Sequence, residues 1–294
     1  MSQISRVTTE HNRNPMETIQ TDKSWTVIQP SKGWASLGLI DVWEYRELLV
    51  FLIWREIQGA YRQTALGLSW LFVRPLLNML LLTFVFGYIV GIPSDEIPYP
   101  LFALSALLPW GYFSNAVIRA SRSLVDNLQV ISKVYFPRMV IPIAGAVSGL
   151  VDFAAAFLII GVALIIYRIP LRIEMLWTPF LVSVAGAYAL AVGLWLATLS
   201  VRYRDVSFAV NFLIQALMYL SPVIYPVSQV PEPLRLIYLL NPMTSVIQGF
   251  RWALFGSGDP PSWIFWGAVG LVFLALVSGA YIFRRTERNV VDIL

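Results

Sequence analysis

The chain has 294 residues, of which 57% are hydrophobic and 13% charged, and its formal net charge is +4. Soluble domains carry about 25% charged residues, so this composition predicts an all-α integral membrane protein. The lack of cysteine excludes disulfides and thiolate chemistry, and a single histidine, His11, excludes zinc sites built on histidine pairs. We expect no nucleic-acid partner, because membrane proteins carry excess basic residues in their cytoplasmic segments.

The N-terminal segment, residues 1–40, is polar and has no continuous apolar core. A cleavable signal peptide needs such a core, so none is predicted. We expect residues 1–40 to be a mobile cytoplasmic segment, followed by one membrane domain over residues 41–294.

Residues 41–63 predict an amphipathic helix that lies on the cytoplasmic surface of the membrane. Asp41, with a glutamate three residues later, matches a helix-capping pattern. The apolar core, Leu48–Trp54, is too short to cross a bilayer and is flanked by charges. We call this segment the interface helix.

Six apolar runs predict membrane spans, since a spanning helix needs about 20 mostly apolar residues. With both termini in the cytoplasm, 17 of the 21 lysine and arginine residues fall in cytoplasmic segments, which favours this orientation. The predicted spans are residues 68–91, 101–120, 139–167, 176–200, 206–226 and 263–283.

The connector between the second and third spans, Ser121–Arg138, is short and basic. Ser123 and Asp126 form a capping-box pattern, which predicts the start of a short cytoplasmic helix. Apolar residues at one-face helical spacing predict a docking face on it. This stripe consists of Leu124, Leu128, Ile131 and Tyr135.

The stretch between the fifth and sixth spans, Val227–Gly256, is interrupted by prolines and carries two arginines. It predicts two short helices that dip into the outer leaflet and are hinged at Asn241-Pro242. Irregular backbone at membrane depth requires protein or a water-filled cavity around it.

Ionisable groups within spans are costly, and Asp152 and Arg74 are two such groups. Asp152 either lines a polar path or proton relay, or pairs with a hydroxyl or arginine on a neighbouring helix, and the paired interpretation is favoured. The side chain of Arg74 is expected to extend along the helix so that its guanidinium lies at the membrane–water interface.

No nucleotide-binding motif is present, because the three lysines follow Asp22, Ser31 and Ser132 and none forms Gly-Lys-Ser/Thr. Aromatic residues make up 14% of the chain, and most predict interfacial belts and packing. Some would suit a conduit for a ligand with apolar faces and many hydroxyls, such as a sugar chain. The candidate path residues are Tyr88, Trp110, Tyr219 and Tyr225 and, at the predicted hinge, Asn241 and Pro242.

Several short patches occur in a characteristic order: Arg46-Glu47-Leu48-Leu49, Trp54-Arg55-Glu56, Tyr61-Arg62-x-Thr64-x-Leu66-Gly67-x-x-Trp70, Pro75-Leu76, Leu108-Pro109-Trp110-x-x-Phe113, Lys133-Val134-Tyr135-Phe136-Pro137-Arg138, Arg202-Tyr203-Arg204-Asp205 and Asn241-Pro242. Over roughly residues 44–294, the chain resembles the permease subunits of the ABC-2 family. It is most similar to the branch that exports O-antigen, capsular polysaccharide or teichoic acid.

This resemblance implies a homodimer in the bacterial inner membrane, bound to two copies of a separate ATPase that holds ATP and magnesium. The permease itself would bind no cofactor or metal and have no catalytic residue. The substrate would be a polyprenyl-linked polysaccharide that passes between the protomers, with membrane lipid around them, and the outer helices would gate its exit.

The resemblance also implies which segments contact the ATPase. Residues 121–133 would be the coupling helix, and the interface helix, with Arg55 and Glu56, would lie nearby. The predicted coupling residues are Leu124, Leu128, Gln129, Ile131, Ser132 and Lys133.

Three alternatives stay open. A drug or small-lipid exporter of the same superfamily would share these motifs. A stand-alone ion-coupled carrier or channel would need paired intramembrane charges. A membrane enzyme such as a glycosyltransferase would need carboxylates or basic residues grouped at one membrane face, whereas the acidic residues here are scattered.

Overall fold

The structure is a computed structural model that describes residues 39–287, apart from residues 63, 96, 135, 204 and 259. The predicted mobile segment up to residue 38, His11 within it, Tyr135 of the predicted stripe and the last seven residues lie outside the described residues. The described residues form helices joined by turns and short irregular segments, with no strand among them.

The predicted interface helix is divided in two. Helix α1 spans Leu39–Glu44 and α2 spans Arg46–Tyr61, with the break at Tyr45. The predicted cap at Asp41 is therefore wrong, because Asp41 lies within α1. Helix α1 also includes residues 39 and 40, the last two of the segment expected to be mobile.

Helix α2 is apolar on two sides. Leu52 is buried and Leu48 packs against the same buried cluster, whereas Phe51 and Trp54 are exposed. Residues three or four apart share a helix face, so one face of α2 rests on the protein and another remains free. A free face of this kind suits the boundary between headgroups and acyl chains.

The remaining helices follow in chain order. They are α3 (Trp70–Leu82), α4 (Tyr99–Asp126), α5 (Leu128–Ile131), α6 (Val140–Ile166), α7 (Thr178–Arg202), α8 (Val206–Tyr219), α9 (Glu232–Leu240), α10 (Pro242–Phe255) and α11 (Trp263–Glu287). A 3-10 turn, Gly67–Ser69, precedes α3, and a π-helical stretch, Thr83–Val90, continues it.

Five helical segments among the described residues are long and apolar enough to cross a membrane. They are Gly67–Val90, Tyr99–Asp126, Val140–Ile166, Ile173–Arg202 and Trp263–Glu287. Each corresponds to a predicted span.

The predicted fifth span, residues 206–226, is helical only over α8, which has 14 residues. At about 1.5 Å per residue, this helix is roughly 21 Å long and shorter than the hydrocarbon core of a bilayer. Residues 220–226 form turns and bends instead. The upper boundary predicted for this span is therefore wrong, and a sixth crossing made by one continuous helix is not present here.

Helix α4 lies at the centre of the bundle and packs most extensively on α6 and α7. Glycines on these two neighbours permit the close approach. A Cβ atom on Gly193 of α7 would lie 2.4 Å from the Cβ of Ala120, and one on Gly145 of α6 would lie 3.2 Å from the Cβ of Arg119. By contrast, no residue of Gly67–Val90 is buried.

Candidate functional site

The predicted coupling segment does not begin with a cap at Ser123. Helix α4 continues through Ser123 to Asp126, Asn127 interrupts it, and α5 is only four residues long. The capping-box prediction is therefore wrong, because Ser123 and Asp126 both lie within α4 and not at the start of a helix.

The apolar stripe of this segment faces the protein interior. Leu124 and Ile131 are 1% and 6% exposed, and both belong to one buried cluster with Leu52 of α2. Leu128 is half-buried against the same cluster. The side chains on the exposed side of the segment are Asp126, Gln129, Val130, Ser132, Lys133 and Val134.

Polar contacts join this segment to two other helices. Nη2 of Arg55 in α2 donates a hydrogen bond to Oδ1 of Asn127 at 2.5 Å and lies 3.6 Å from Oε1 of Glu56. Nη2 of Arg122 donates to the carbonyl of Ser207 in α8 at 3.1 Å. Arg55, which the family resemblance places near the ATPase, thus already binds within this chain.

Asp152 is paired, as the favoured interpretation predicts. Its Oδ2 accepts from Nη2 of Arg119 at 3.1 Å, and its Oδ1 accepts from the hydroxyl of Tyr61. Nη1 of Arg119 also donates to Oγ of Ser148 at 2.7 Å. Burial and the hydrogen bond to Asp152 raise the pKa of the Tyr61 hydroxyl, so it stays a donor at neutral pH. This network joins α2, α4 and α6.

Sequence reasoning counted Arg119 only as a cytoplasmic charge and did not identify it as the partner. An arginine 33 residues away on another helix has no fixed spacing from Asp152, so only the helix packing could identify it.

A cavity of about 290 Å³, here called the α3–α4 cavity, lies beside this network. Trp110, one of the candidate path residues, lines it and is 5% exposed. Other lining residues include Trp70, Arg74, Asn78, Ser114, Asn115 and Asp152. Within the described part of the chain, no group of histidine, aspartate and glutamate side chains is placed to hold a metal ion.

Four other candidate path residues lie together near the turn after α8. The hydroxyl of Tyr225 donates to the carbonyl of Tyr219 at 2.7 Å, and Nδ2 of Asn241 donates to Oγ of Ser221 at 2.8 Å. Oδ1 of Asn241 caps α10 by accepting from the Met243 amide at 3.1 Å, with Pro242 as the first helical residue.

The sixth candidate, Tyr88, does not join them. It lies on the π-helical stretch, 82% exposed, and stacks on Phe84 with the ring centroids 6.3 Å apart.

A buried arginine that the sequence marked only as an outer charge holds this turn in place. Nη2 of Arg251 donates to the carbonyl of Pro222 at 2.6 Å, and its Cζ lies 3.6 Å from the ring centroid of Phe102 in α4. Arg251 is 5% exposed, so both contacts are made within the protein interior.

These elements describe a multi-pass helical membrane protein with a basic segment tied to an interface helix. Residues 47–255 match the ABC-2 type transporter family. Because this match covers more than half of the chain, the chain belongs to that family.

Relatives with curated descriptions refine the comparison. The chain is 30% identical over 256 residues to "O-antigen export system permease protein RfbA" of Myxococcus xanthus, covering 84% of this chain and 96% of the relative. It is 27% identical over 207 residues to the protein of the same name from Klebsiella pneumoniae, covering 70% and 79%. It is 25% identical over 211 residues to "Polysialic acid transport protein KpsM" of Escherichia coli, covering 69% and 79%.

Proposed function

We propose that the chain is the membrane subunit of an ATP-driven exporter that moves a polyprenyl-linked, O-antigen-like polysaccharide across a bacterial inner membrane. The observation that carries this proposal is the similarity, over 84% of the chain, to a permease described as exporting O-antigen. ATP and magnesium would bind to a separate ATPase subunit, and this chain would contribute no catalytic residue.

The coupling segment would meet the ATPase through its exposed side, which carries Gln129, Ser132 and Lys133. Leu124, Leu128 and Ile131 lie on the opposite, buried side and would hold this segment on the helix bundle. The Arg55–Asn127 and Arg122–Ser207 contacts support this role, because they connect the segment to α2 and to α8. A displacement of the segment would therefore reach both helices.

The functional unit would be a homodimer with both termini in the cytoplasm. The unburied surface of Gly67–Val90 supports a second copy, since a polysaccharide path between protomers needs helices that are not enclosed within one protomer. Helix α8, together with α9 and α10, would form the sixth crossing and the outer gate, hinged at Asn241-Pro242.

The test is co-expression with a candidate ABC ATPase subunit, followed by co-purification and measurement of ATP hydrolysis and polymer export. Lys133→Glu reverses a charge on the exposed side of the segment and should lower co-purification and ATP-dependent export at least several-fold. Arg168→Glu is the matched control, because Arg168 is also exposed but belongs to the predicted outer side. Ile131→Asp is unsuitable, since Ile131 is buried.

Polymer export by the chain without any ATPase would contradict the proposal. So would a Lys133→Glu variant, combined with Val130→Asp, that retains full assembly and ATP-dependent export.

Export of a drug or small lipid is the second candidate. It is favoured by an apolar groove of about 920 Å³ between α6 and α7, lined by Phe153, Phe157 and Val182 among others. Stimulation of ATP hydrolysis by small apolar compounds, and not by lipid-linked glycans, would favour this alternative.

A further inference from the structure

We infer that the α3–α4 cavity binds a phosphate group carried on a lipid, with Arg74 as its principal cation. This inference rests on the proposed function, which brings a lipid-linked ligand to the cytoplasmic side of these helices. It assigns a ligand chemistry to a cavity that the coupling contacts and the outer turn do not use.

The charge balance of the cavity favours an anion. Its carboxylate, Asp152, is already satisfied by the guanidinium of Arg119 and the hydroxyl of Tyr61. Arg74 also lines the cavity, and it has no hydrogen-bond or ion-pair partner among the residues that the structure describes. The cavity therefore has one uncompensated positive charge. A charged side chain within an apolar helix is costly unless it is paired, and a bound anion would pair it.

The donors around Arg74 suit a phosphate. Arg74 and Asn78 are four residues apart on α3, so they lie on one helix face, and both line the cavity. Asn115 lines the cavity from α4. A guanidinium presents a planar fork of donors that matches two phosphate oxygens, and the amide groups can donate to the others.

The size and aromatic lining of the cavity fit a phosphate with an adjoining group. Its volume of about 290 Å³ equals that of roughly ten liquid water molecules. Trp70 and Trp110 line the same space, and their rings offer apolar faces against which a sugar ring can pack.

The surroundings of the cavity indicate a ligand that arrives from the lipid. Arg74 and Asn78 are both exposed, so the cavity opens at the surface of α3. The neighbouring side chains of this helix, such as Leu77 and Leu81, are apolar and exposed. A hydrocarbon chain could lie along α3 while its phosphate enters the cavity. The diphosphate of a lipid-linked glycan and the headgroup of an anionic phospholipid share this chemistry.

The test uses the purified full-length chain in micelles of a phosphate-free, non-ionic detergent, so that the probe supplies the only lipid phosphate. The probe is a polyprenyl diphosphate that carries one fluorescent sugar, and binding is measured by fluorescence anisotropy. Arg74→Gln should weaken binding about 10- to 100-fold, because a charge-assisted contact is lost. Arg74→Lys should lose less than Arg74→Gln. Arg46→Gln removes the same charge at an exposed site that does not line the cavity, so binding should be unchanged.

Two competitors identify the source of the phosphate. Displacement by phosphatidylglycerol at equal mole fraction would assign the site to phospholipid headgroups, and resistance to it would assign the site to the lipid-linked diphosphate. The inference is overturned if phosphate-free polyprenol carrying the same sugar binds as tightly, or if Arg74→Gln binds like the wild type. It is also overturned if Arg74→Gln changes the oligomeric state in size-exclusion chromatography but leaves the affinity for the probe unchanged.

This assay needs neither an ATPase nor export. A chain that fails to bind the probe but exports polymer with its ATPase would overturn the phosphate site and leave the proposed function standing. A chain that binds the probe but has no ATPase-dependent export would do the reverse.

Discussion

Helices α3 and α4 are both apolar spans, yet they occupy opposite positions in the fold. In the span that contains α4, 72% of the most apolar stretch is buried, whereas in Gly67–Val90 none of it is. Apolarity therefore predicts which segments enter the membrane but not which segment lies at the centre.

The central position of α4 follows from small residues on its neighbours and polar residues on its own surface. Gly145 and Gly193 let α6 and α7 approach α4 closely, and Arg119 pairs with Asp152 across that contact. Small residues and interhelical hydrogen bonds stabilise helix pairs in membranes, where apolar contacts alone give little preference over lipid. Among the described residues, neither small residues nor interhelical hydrogen bonds are found on the exposed apolar face of α3.

The largest expected effect comes from enlarging the contact between α4 and α7. In Gly193→Leu the new side chain would collide with Ala120 and force the helices apart, with a cost of about 3 kcal/mol or more. We expect loss of the monodisperse peak in fluorescence-detected size exclusion. Gly161→Leu in α6 is the matched control, because nothing lies within 4 Å of a Cβ atom there. Equal behaviour of the two variants would contradict the central position of α4.

A smaller effect is expected from breaking the Arg119–Asp152 pair. Both side chains are about one-fifth exposed, so we expect Asp152→Ala to lower the free energy of unfolding by about 1–2 kcal/mol, less than for a fully buried pair. Unfolding in a denaturing detergent would measure this loss for Asp152→Ala, Arg119→Ala and the double variant. Additive losses in this double-mutant cycle would mean that the two side chains do not interact.

The smallest effect is expected on the exposed face of α3. Leu80→Ala and Leu81→Ala should change the unfolding free energy of one protomer by less than about 0.5 kcal/mol, because neither side chain is buried. The same denaturation assay, run at low protein concentration, measures this. A loss above 1 kcal/mol would place α3 within the packed core and remove the contrast with α4.

Much of the fold could be predicted from composition and the lengths of apolar runs. The third span, predicted over residues 139–167, is Val140–Ile166, and the first, predicted over 68–91, is Gly67–Val90. The fifth run could not be bounded in the same way. It remains apolar after Tyr219, but the turn there depends on hydrogen bonds from Tyr225, Asn241 and Arg251, which lie further along the chain.

The candidate site was only partly predictable for a similar reason. Helical spacing correctly places Leu124, Leu128 and Ile131 on one side of their segment, but it does not say whether that side faces a partner or the same chain. A carboxylate in a span predicts a hydroxyl or an arginine as its partner. It does not predict that Asp152 has one of each, the hydroxyl of Tyr61 and the guanidinium of Arg119. These facts belong to the packing of helices, which a local pattern does not encode.

The two anchors of α2 limit how that helix can move. Arg55 is bound to Asn127 and Tyr61 to Asp152, and the two anchor residues are six positions apart. On an α-helix this separation is about 9 Å along the axis and about 240° around it. Rolling α2 about its own axis would pull at least one anchor apart. We therefore expect a displacement of α2 to carry with it Asn127, which directly follows α4, and Asp152 in the middle of α6.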